Sequence, residues 1–277
     1  MPLFNGCSAG ALSAAVLTNA AVRRGEPQAR PCAKLRPPAP EEKGCARAPF
    51  RPKVAPVPAR ASKPPDFRFE SELLHRGLTP IAGVDEAGRG PLAGPVVAAA
   101  VIFPADWIVR GLPEALREVN DCKQLSAPVR EVLCAGLISR PEIRFGIAWV
   151  DAPLIDQINI LQATHRAMNL ALAKLNPPPR HVLVDGLRVK TLEFPQTPIV
   201  SGDTLSWSIA AASILAKVTR DRLMVEFDRA YPGYGFSGHK GYGTPEHLAA
   251  LKERGPCPIH RHSFAPLRSA PADLFPE

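Results

Sequence analysis

The sequence predicts an α/β domain in which helices flank a mixed β-sheet. Five short runs rich in Val, Ile and Ala, several of them bounded by glycine, have the length and composition of buried strands. Strands come first along the chain and later alternate with helical segments, an order typical of a mixed sheet covered by helices. The predicted strands are residues 81–85, 94–103, 144–150, 181–185 and 198–201.

Three longer segments have helical patterns. Residues 159–175 begin at a candidate cap, Asn159, and stop before three consecutive prolines. Residues 204–230 form the longest predicted helix, and residues 244–254 end before a Gly-Pro pair, a common helix stop. We expect the chain from about residue 231 onwards to form a helical lobe.

Composition divides the chain into two parts. The 277 residues are 45% apolar and 22% charged, as in ordinary globular proteins, and no apolar run is long enough for a transmembrane helix. Residues 1–66 hold 11 Lys and Arg, 4 Asp and Glu and 12 prolines, a net charge of +7, whereas the rest of the chain carries +1. We therefore predict a disordered Pro/Ala/Arg-rich basic extension at 1–66 and one folded domain at 67–277. A transit peptide has a similar composition, so a targeting role for the extension stays open.

The six cysteines are spread along the chain without a CxxC pair. Small secreted domains space their cysteines more tightly to build disulfides. We expect free thiols, a reducing compartment and a cytoplasmic location.

Carboxylates stand where predicted strands end. Asp85 and Glu86 close the first strand, Asp185 closes the fourth, and Asp203 lies between the fifth strand and the longest helix. Adjacent strand residues face opposite sides, so we expect the first strand to end at Asp85, as the nearby glycines permit. Asp203 is also a candidate helix cap. Because functional groups gather at the carboxyl ends of strands in open α/β sheets, we expect these four acids to meet.

Four carboxylates in one place repel each other and raise each other's pKa unless cations lie between them. A set of hard oxygen ligands without His or Cys favours Mg²⁺ or Mn²⁺ over zinc. Two such ions can activate water and stabilise a leaving oxygen in phosphodiester hydrolysis. Cys257, His260 and His262 are spaced closely enough to suggest zinc, but the sequence offers no fourth ligand and ordinary histidines are the simpler interpretation.

The chain resembles the ribonuclease HII family. The resemblance covers about residues 79–268, with every block in order. The matching blocks are 81–103, 120–126, 156–164, 185–186, 210–221, 234–236, 239–244 and 262–264.

The resemblance implies a ribonuclease H-like fold and a role for each matching residue. Asp85, Glu86, Asp185 and Asp203 would bind two divalent ions, Mg²⁺ or Mn²⁺, and carry out hydrolysis. The Gly88-Arg89-Gly90 loop would read the 2′-hydroxyl, the group that separates RNA from DNA. Cys122 and Lys123 lie in a loop that contacts phosphate, and Tyr242 would pack on the sugar at an RNA–DNA junction. Two positions depart from the family: Cys122 stands where serine is frequent, and Ser201 where many members have lysine.

The implied reaction is endonucleolytic cleavage of RNA in RNA·DNA hybrids and on the 5′ side of ribonucleotides embedded in duplex DNA, leaving 5′-phosphate and 3′-hydroxyl ends. We expect a monomer that does not bind membranes; contact with a replication clamp stays open. Two alternatives remain: a hybrid nuclease that needs several consecutive ribonucleotides, and a catalytically silent hybrid-binding protein. Five side chains are candidates for a phosphate-binding basic patch: Lys123, Lys217, Arg220, Lys240 and Arg261.

Overall fold

A computed structural model of the chain describes residues 64–268 and confirms the mixed sheet flanked by helices. The strand order is β3-β2-β1-β4-β5. β1 pairs antiparallel with β2, as β2 does with β3, whereas β1–β4 and β4–β5 are parallel. The strands are β1 (Ile81–Ala87), β2 (Val96–Ile102), β3 (Arg144–Val150), β4 (His181–Asp185) and β5 (Gln196–Ile199).

Seven α-helices and two 3₁₀ turns accompany the sheet in the described residues. The 3₁₀ turns are Glu114–Leu116 and Gly202–Thr204. The helices are α1 (Arg68–His75), α2 (Ala105–Arg110), α3 (Ala127–Ile138), α4 (Ala152–Leu172), α5 (Trp207–Ala230), α6 (Phe236–His239) and α7 (Pro245–Arg254). None of these helices is long and apolar enough to cross a membrane.

The two long helices cover opposite faces of the sheet. Alternate β1 residues Ala82 and Val84 pack with Ala163 and Ala167 of α4 in one apolar cluster. Gly83 faces α5, where an added Cβ would overlap the backbone of Ser208. This close approach buries most of the first half of α5 and places the middle of that helix beside the end of β1.

Strand β1 does not end at the acids, so that expectation was wrong. Pairing with β2 continues through Asp85↔Ala99 and Glu86↔Ala98, because the antiparallel ladder holds β1 extended as far as Ala87. Pairing with β4 stops at Val84↔Val184. The two acids therefore lie just beyond the last β4 pair, on a strand that only β2 still supports.

Other boundaries differ from the prediction for local reasons. β5 lies two residues earlier than expected, and Ser201 adopts a left-handed conformation with φ of 57°. Helix α4 begins at Ala152, and Asn159 (φ 63°) interrupts it and caps its second part through Oδ1, which accepts from the N–H of Gln162 at 3.1 Å. Ser206 caps α5, so Asp203 is not the cap of that helix.

The last described residues form a lobe with its own small core. Its helices are the four-residue α6 and the ten-residue α7, and irregular chain connects them. The core of this C-terminal lobe consists of Ala93, Met224, Tyr234, Phe236, Ala250, Cys257 and Ile259.

Near the other end, the N–H of Asp66 donates to Leu205 at 3.3 Å, so the folded chain includes Asp66. The predicted extension otherwise lies almost wholly outside the described residues. The three cysteines within them are buried free thiols.

Candidate active site

The fold brings the four predicted acids together. Asp85 and Glu86 come from β1, Asp185 ends β4, and Asp203 lies in the 3₁₀ turn after β5. The negative charge of Asp185 raises the pKa of each of the other three carboxyls. Asp185 therefore occupies the middle of a single electrostatic cluster.

Asp85 has the most unfavourable environment of the four. It is buried, and burial is the main cause that raises its pKa well above the ordinary value. The charges of Glu86 and Asp185 raise that pKa further, whereas hydrogen bonding from the Ser213 side chain of α5 opposes the rise. A buried carboxylate between two like charges is expensive unless a cation joins it.

The other three acids each accept a hydrogen bond from a nearby donor. The guanidinium of Arg89 lies 3.3 Å from Oε1 of Glu86. Burial raises the pKa of Glu86, and Arg89 opposes this rise. The N–H of Gly202 donates to Oδ1 of Asp185 at 2.6 Å. Lys123 Nζ lies 3.3 Å from Oδ2 of Asp203, whose pKa is raised by burial and by Asp185.

Within residues 64–268, no three Cys, His, Asp or Glu side chains converge in an arrangement that could hold an ion. In the cluster itself the carboxylate oxygens accept from protein donors, including Oδ1 of Asp85 from the N–H of Glu86 at 2.6 Å. The chemical type of the possible ligand atoms still indicates which ions could bind. Four mutually repelling carboxylates, with no nitrogen or sulfur among them, fit hard divalent cations such as Mg²⁺ and Mn²⁺.

The glycine-arginine-glycine loop follows β1 directly. Gly88 has φ of 96°, and an added Cβ there would overlap the side chain of Arg220, so only glycine fits. Arg89 and Gly90 are exposed. A Cβ built on Gly90 would lie 3.8 Å from Cε1 of Tyr242, whose side chain is 48% exposed. The two segments expected to read the RNA–DNA junction are therefore neighbours.

Cys122 and Lys123 face different surroundings although they are adjacent. The Cys122 thiol is buried with Sγ 3.1 Å from Oγ of Ser213, and burial raises its pKa. Lys123 is 79% exposed at the edge of the acid cluster. The backbone of this loop is held by Arg130, whose guanidinium donates to the carbonyl of Cys122 at 2.8 Å.

Ser213 is the site residue that the sequence analysis missed. It contacts Asp85 and Cys122 from the N-terminal third of α5. The available signal was a single hydroxyl within the apolar run 209–216, where a buried polar group needs a partner.

The prediction of a basic phosphate-binding patch was wrong for two of its five members. Arg220 and Arg261 are buried, and their guanidinium groups donate to backbone carbonyls. Lys217 is paired with Asp221 at 2.7 Å. Of the five, Lys123 alone lies beside the acid cluster.

A chain of hydrogen bonds through neutral histidines supports the segment that carries Tyr242. The N–H of Cys257 donates to Nδ1 of His260 at 2.9 Å, so the proton of this ring lies on Nε2. That Nε2 lies 3.0 Å from Nε2 of His247, which must accept, and Nδ1 of His247 donates to the carbonyl of Tyr242 at 2.8 Å. Burial lowers the pKa of both histidines, that of His260 to about 4. Three residues had suggested a zinc site. Cys257 and His260 belong to this series of hydrogen bonds, whereas the backbone N–H of His262 donates to Asp156.

Known proteins resemble the chain throughout the described domain. Residues 82–267 match the family model of Ribonuclease HII. The ribonuclease HII of Ruminiclostridium cellulolyticum is 53% identical over 196 residues, 71% of this chain and 74% of that protein. The ribonuclease HII of Geobacter metallireducens is 55% identical over 198 residues, 72% of this chain and 89% of that protein.

The fold agrees with these sequence matches. The crystal structure of ribonuclease H2 from Pyrococcus horikoshii OT3 superposes with a TM-score of 0.57 and 29% identity, covering 68% of this chain and 95% of that one. A family model that matches most of the chain, together with relatives above 50% identity, is decisive. The chain belongs to the ribonuclease HII family and is a metal-dependent endoribonuclease that acts on RNA·DNA hybrids.

Proposed function

We propose that the enzyme cuts duplex DNA on the 5′ side of a single embedded ribonucleotide, as well as the RNA strand of hybrids. The products are a 5′-phosphate and a 3′-hydroxyl. One observation carries this proposal: the Gly88–Gly90 loop, with Arg89 and Gly90 exposed, lies beside the half-exposed ring of Tyr242 and directly follows the strand that carries Asp85 and Glu86. The loop and the ring that we expect to read one sugar thus lie next to the acids.

The four acids would hold two divalent ions, Mg²⁺ or Mn²⁺. When bound, such a pair lowers the pKa of the attacking water and stabilises the 3′-oxygen as it leaves. Asp185 is central to this role because its charge acts on the other three acids. The high pKa of Asp85 that burial produces makes this residue the one most in need of a cation.

The remaining residues bind and orient the substrate. The exposed ammonium of Lys123, 3.3 Å from Asp203, binds a backbone phosphate next to the acids. The N–H groups of the Gly88–Gly90 loop bond to the 2′-hydroxyl, which DNA lacks. The ring of Tyr242 packs on the sugar of the next nucleotide, where a flat surface suits a deoxyribose and a hydroxyl fits less well.

The alternatives are weaker on specific grounds. A nuclease that needs several consecutive ribonucleotides has no use for an aromatic ring beside its 2′-hydroxyl reader. A silent hybrid-binding protein would lack one of the acids, whereas all four are present in this chain and the charge of Asp185 acts on the other three. Neither alternative explains the position of Tyr242.

The test is cleavage of three duplexes of one sequence: all DNA, one ribonucleotide, and four consecutive ribonucleotides. With Mg²⁺ or Mn²⁺, we expect a single cut 5′ of the lone ribonucleotide and no cut in all-DNA duplex. Asp85→Asn removes a carboxylate charge and should lower the rate by at least about 100-fold. The matched control, Asp106→Asn, changes an exposed aspartate of α2 and should cut normally. Cleavage of the four-ribonucleotide duplex alone would support the first alternative instead.

A further inference from the structure

Among the described residues, two arginines are buried without a carboxylate at salt-bridge distance. Arg220 of α5 is 1% exposed and Arg261 is 0% exposed, which makes them the largest fully buried side chains of the described residues. Within residues 64–268, neither takes part in a salt bridge. Burial lowers the pKa of Arg220 to about 10 and that of Arg261 to about 9. A buried charge of this kind persists only if other groups replace its hydration.

Backbone carbonyls replace that hydration, and nearly all of them belong to residues 88–95. Arg261 donates from Nε and Nη2 to Gly94 at 2.9 and 2.8 Å, from Nη1 to Arg89 at 2.9 Å, and from Nη2 to Gly88 at 2.6 Å. Arg220 bonds farther along the loop, to the carbonyls of Ala93 and Pro95, and also to that of Lys240. Arg220 also packs against Gly88, but of the two only Arg261 donates to the carbonyls of Gly88 and Arg89.

These bonds determine which way the peptide groups of the loop face. In a trans peptide the C=O and the following N–H point in opposite directions, and both peptide bonds concerned are trans. With the carbonyls of Gly88 and Arg89 turned onto the buried guanidinium, the N–H groups of Arg89 and Gly90 are turned away from it. Both residues are exposed, and Gly90 adjoins the ring of Tyr242.

We propose that Arg261 is a positioning residue for ribonucleotide discrimination: it fixes the carbonyls of Gly88 and Arg89 and thereby aims two backbone N–H groups at the substrate's 2′-hydroxyl. The inference rests on the proposed function, because that function makes the loop the 2′-hydroxyl reader. The planar guanidinium is required, since one flat fork reaches three carbonyls. A lysine has a single compact ammonium and cannot span them.

A purely structural role makes a different prediction. An arginine that only joined the C-terminal lobe to the sheet would, when changed, weaken binding of every duplex equally. A positioning residue changes the preference for ribose and leaves the affinity for DNA unchanged. The ratio of two dissociation constants, for all-DNA duplex and for the same duplex with one ribonucleotide, separates the two roles.

The experiment measures that ratio in EDTA, so that no cleavage occurs, with the full-length chain below its melting temperature. We expect Arg261→Lys to reduce the wild-type ratio by about fivefold or more, the effect of one lost hydrogen bond, while affinity for all-DNA duplex stays within about twofold. Arg220→Lys is the matched control. It changes an equally buried arginine that does not bond to Gly88 or Arg89, so the ratio should stay within about twofold of the wild type.

Three results would overturn the inference. An unchanged ratio in folded Arg261→Lys protein means that the guanidinium does not aim the loop. An equal loss of affinity for both duplexes means that its role is structural. If Arg261→Lys does not fold, Arg261→Gln, which keeps an NH₂ donor without the charge, is measured by the same criteria. A wild-type ratio of one contradicts the proposed function itself, and the inference that rests on it fails as well.

Discussion

Single side chains determine the electrostatics of this site, and they act through burial more than through direct pairing. Asp85, Glu86 and Asp203 all have pKa values raised chiefly by burial, and Asp185 adds to each of them. The sequence predicted these acids because each follows a run that reads as a strand. Ser213 escaped prediction because one serine in an apolar helix has no pattern, and only tertiary contacts reveal its partners.

The histidine chain provides a residue-scale prediction about pH. The pKa of His260 is about 4 in the folded protein, below the ordinary 6.5, because burial disfavours the charged ring. The neutral ring of His260 therefore makes its full contribution to the free energy of unfolding above pH 6.5, and this contribution is lost as the pH falls towards 4. The shift corresponds to about 3 kcal/mol. Wild-type melting temperature should therefore drop steeply between pH 6.5 and 4.5.

The comparison uses His260→Gln, which removes the titrating ring, and thermal melting across that pH range. Its melting temperature should be lower at pH 7.5 but should depend less on pH than that of the wild type. His75→Gln, at an exposed histidine of α1, should follow the wild-type curve. A His260→Gln curve parallel to the wild-type curve would assign the acid sensitivity to other groups.

At the scale of elements, the packing of α5 onto β1 positions the acids. Gly83 lets the two backbones touch, and Asp85 lies two residues farther along the same face of the strand. Gly146 makes the corresponding close contact on β3, where an added Cβ would overlap the carbonyl of Ala171 in the last turn of α4. The two glycines create similar contacts, but only one of them is near the acids.

Gly83→Ala and Gly146→Ala therefore form a matched pair. Each substitution overpacks a helix–strand contact and should lower the free energy of unfolding by about 1–3 kcal/mol or more. Gly83→Ala should also lower kcat, because it shifts Asp85 relative to Asp185 across the β1–β4 pair. Gly146→Ala should keep near-normal kcat in cleavage assays at a temperature where both proteins are folded. Equal loss of kcat in both variants would mean that general instability is responsible.

The elements also show what sequence reasoning can and cannot reach. All five strands were predicted near their true positions, because runs of Val, Ile and Ala mark buried strands. Helices α1, α2 and α3 were not predicted. The first two are short, and α3 carries Gly136, a poor helix former, in its interior, so tertiary packing determines its structure. The extension of β1 past Asp85 and Glu86 likewise depends on a tertiary contact, the pairing with β2.

For the whole molecule, charge distribution gives the next prediction. Residues 1–63 hold 11 Lys and Arg and 3 Asp and Glu, so most of the basic excess lies outside the described domain. Deleting residues 1–63 keeps Asp66, which bonds to Leu205 and Trp207. The deletion should weaken duplex binding and flatten its salt dependence by at least ~0.9 in log–log slope, the share of one phosphate contact. Binding measured from 50 to 200 mM salt with an all-DNA duplex checks this, and unchanged affinity and slope would refute it.

The parallel pairing of β1 with β4 has a consequence for the newly made chain. Asp85 and Glu86 leave the ribosome ~100 residues before Asp185, a delay of about 5–20 s at ordinary rates of synthesis. Arg261 follows later still, although it holds the carbonyls of Gly88 and Arg89. The antiparallel β1-β2-β3 half of the sheet can therefore form while the protein has only two of its four acids and no anchored loop. Synthesis therefore supplies the four acids before Arg261, and all five residues are present only when almost the entire domain has been made.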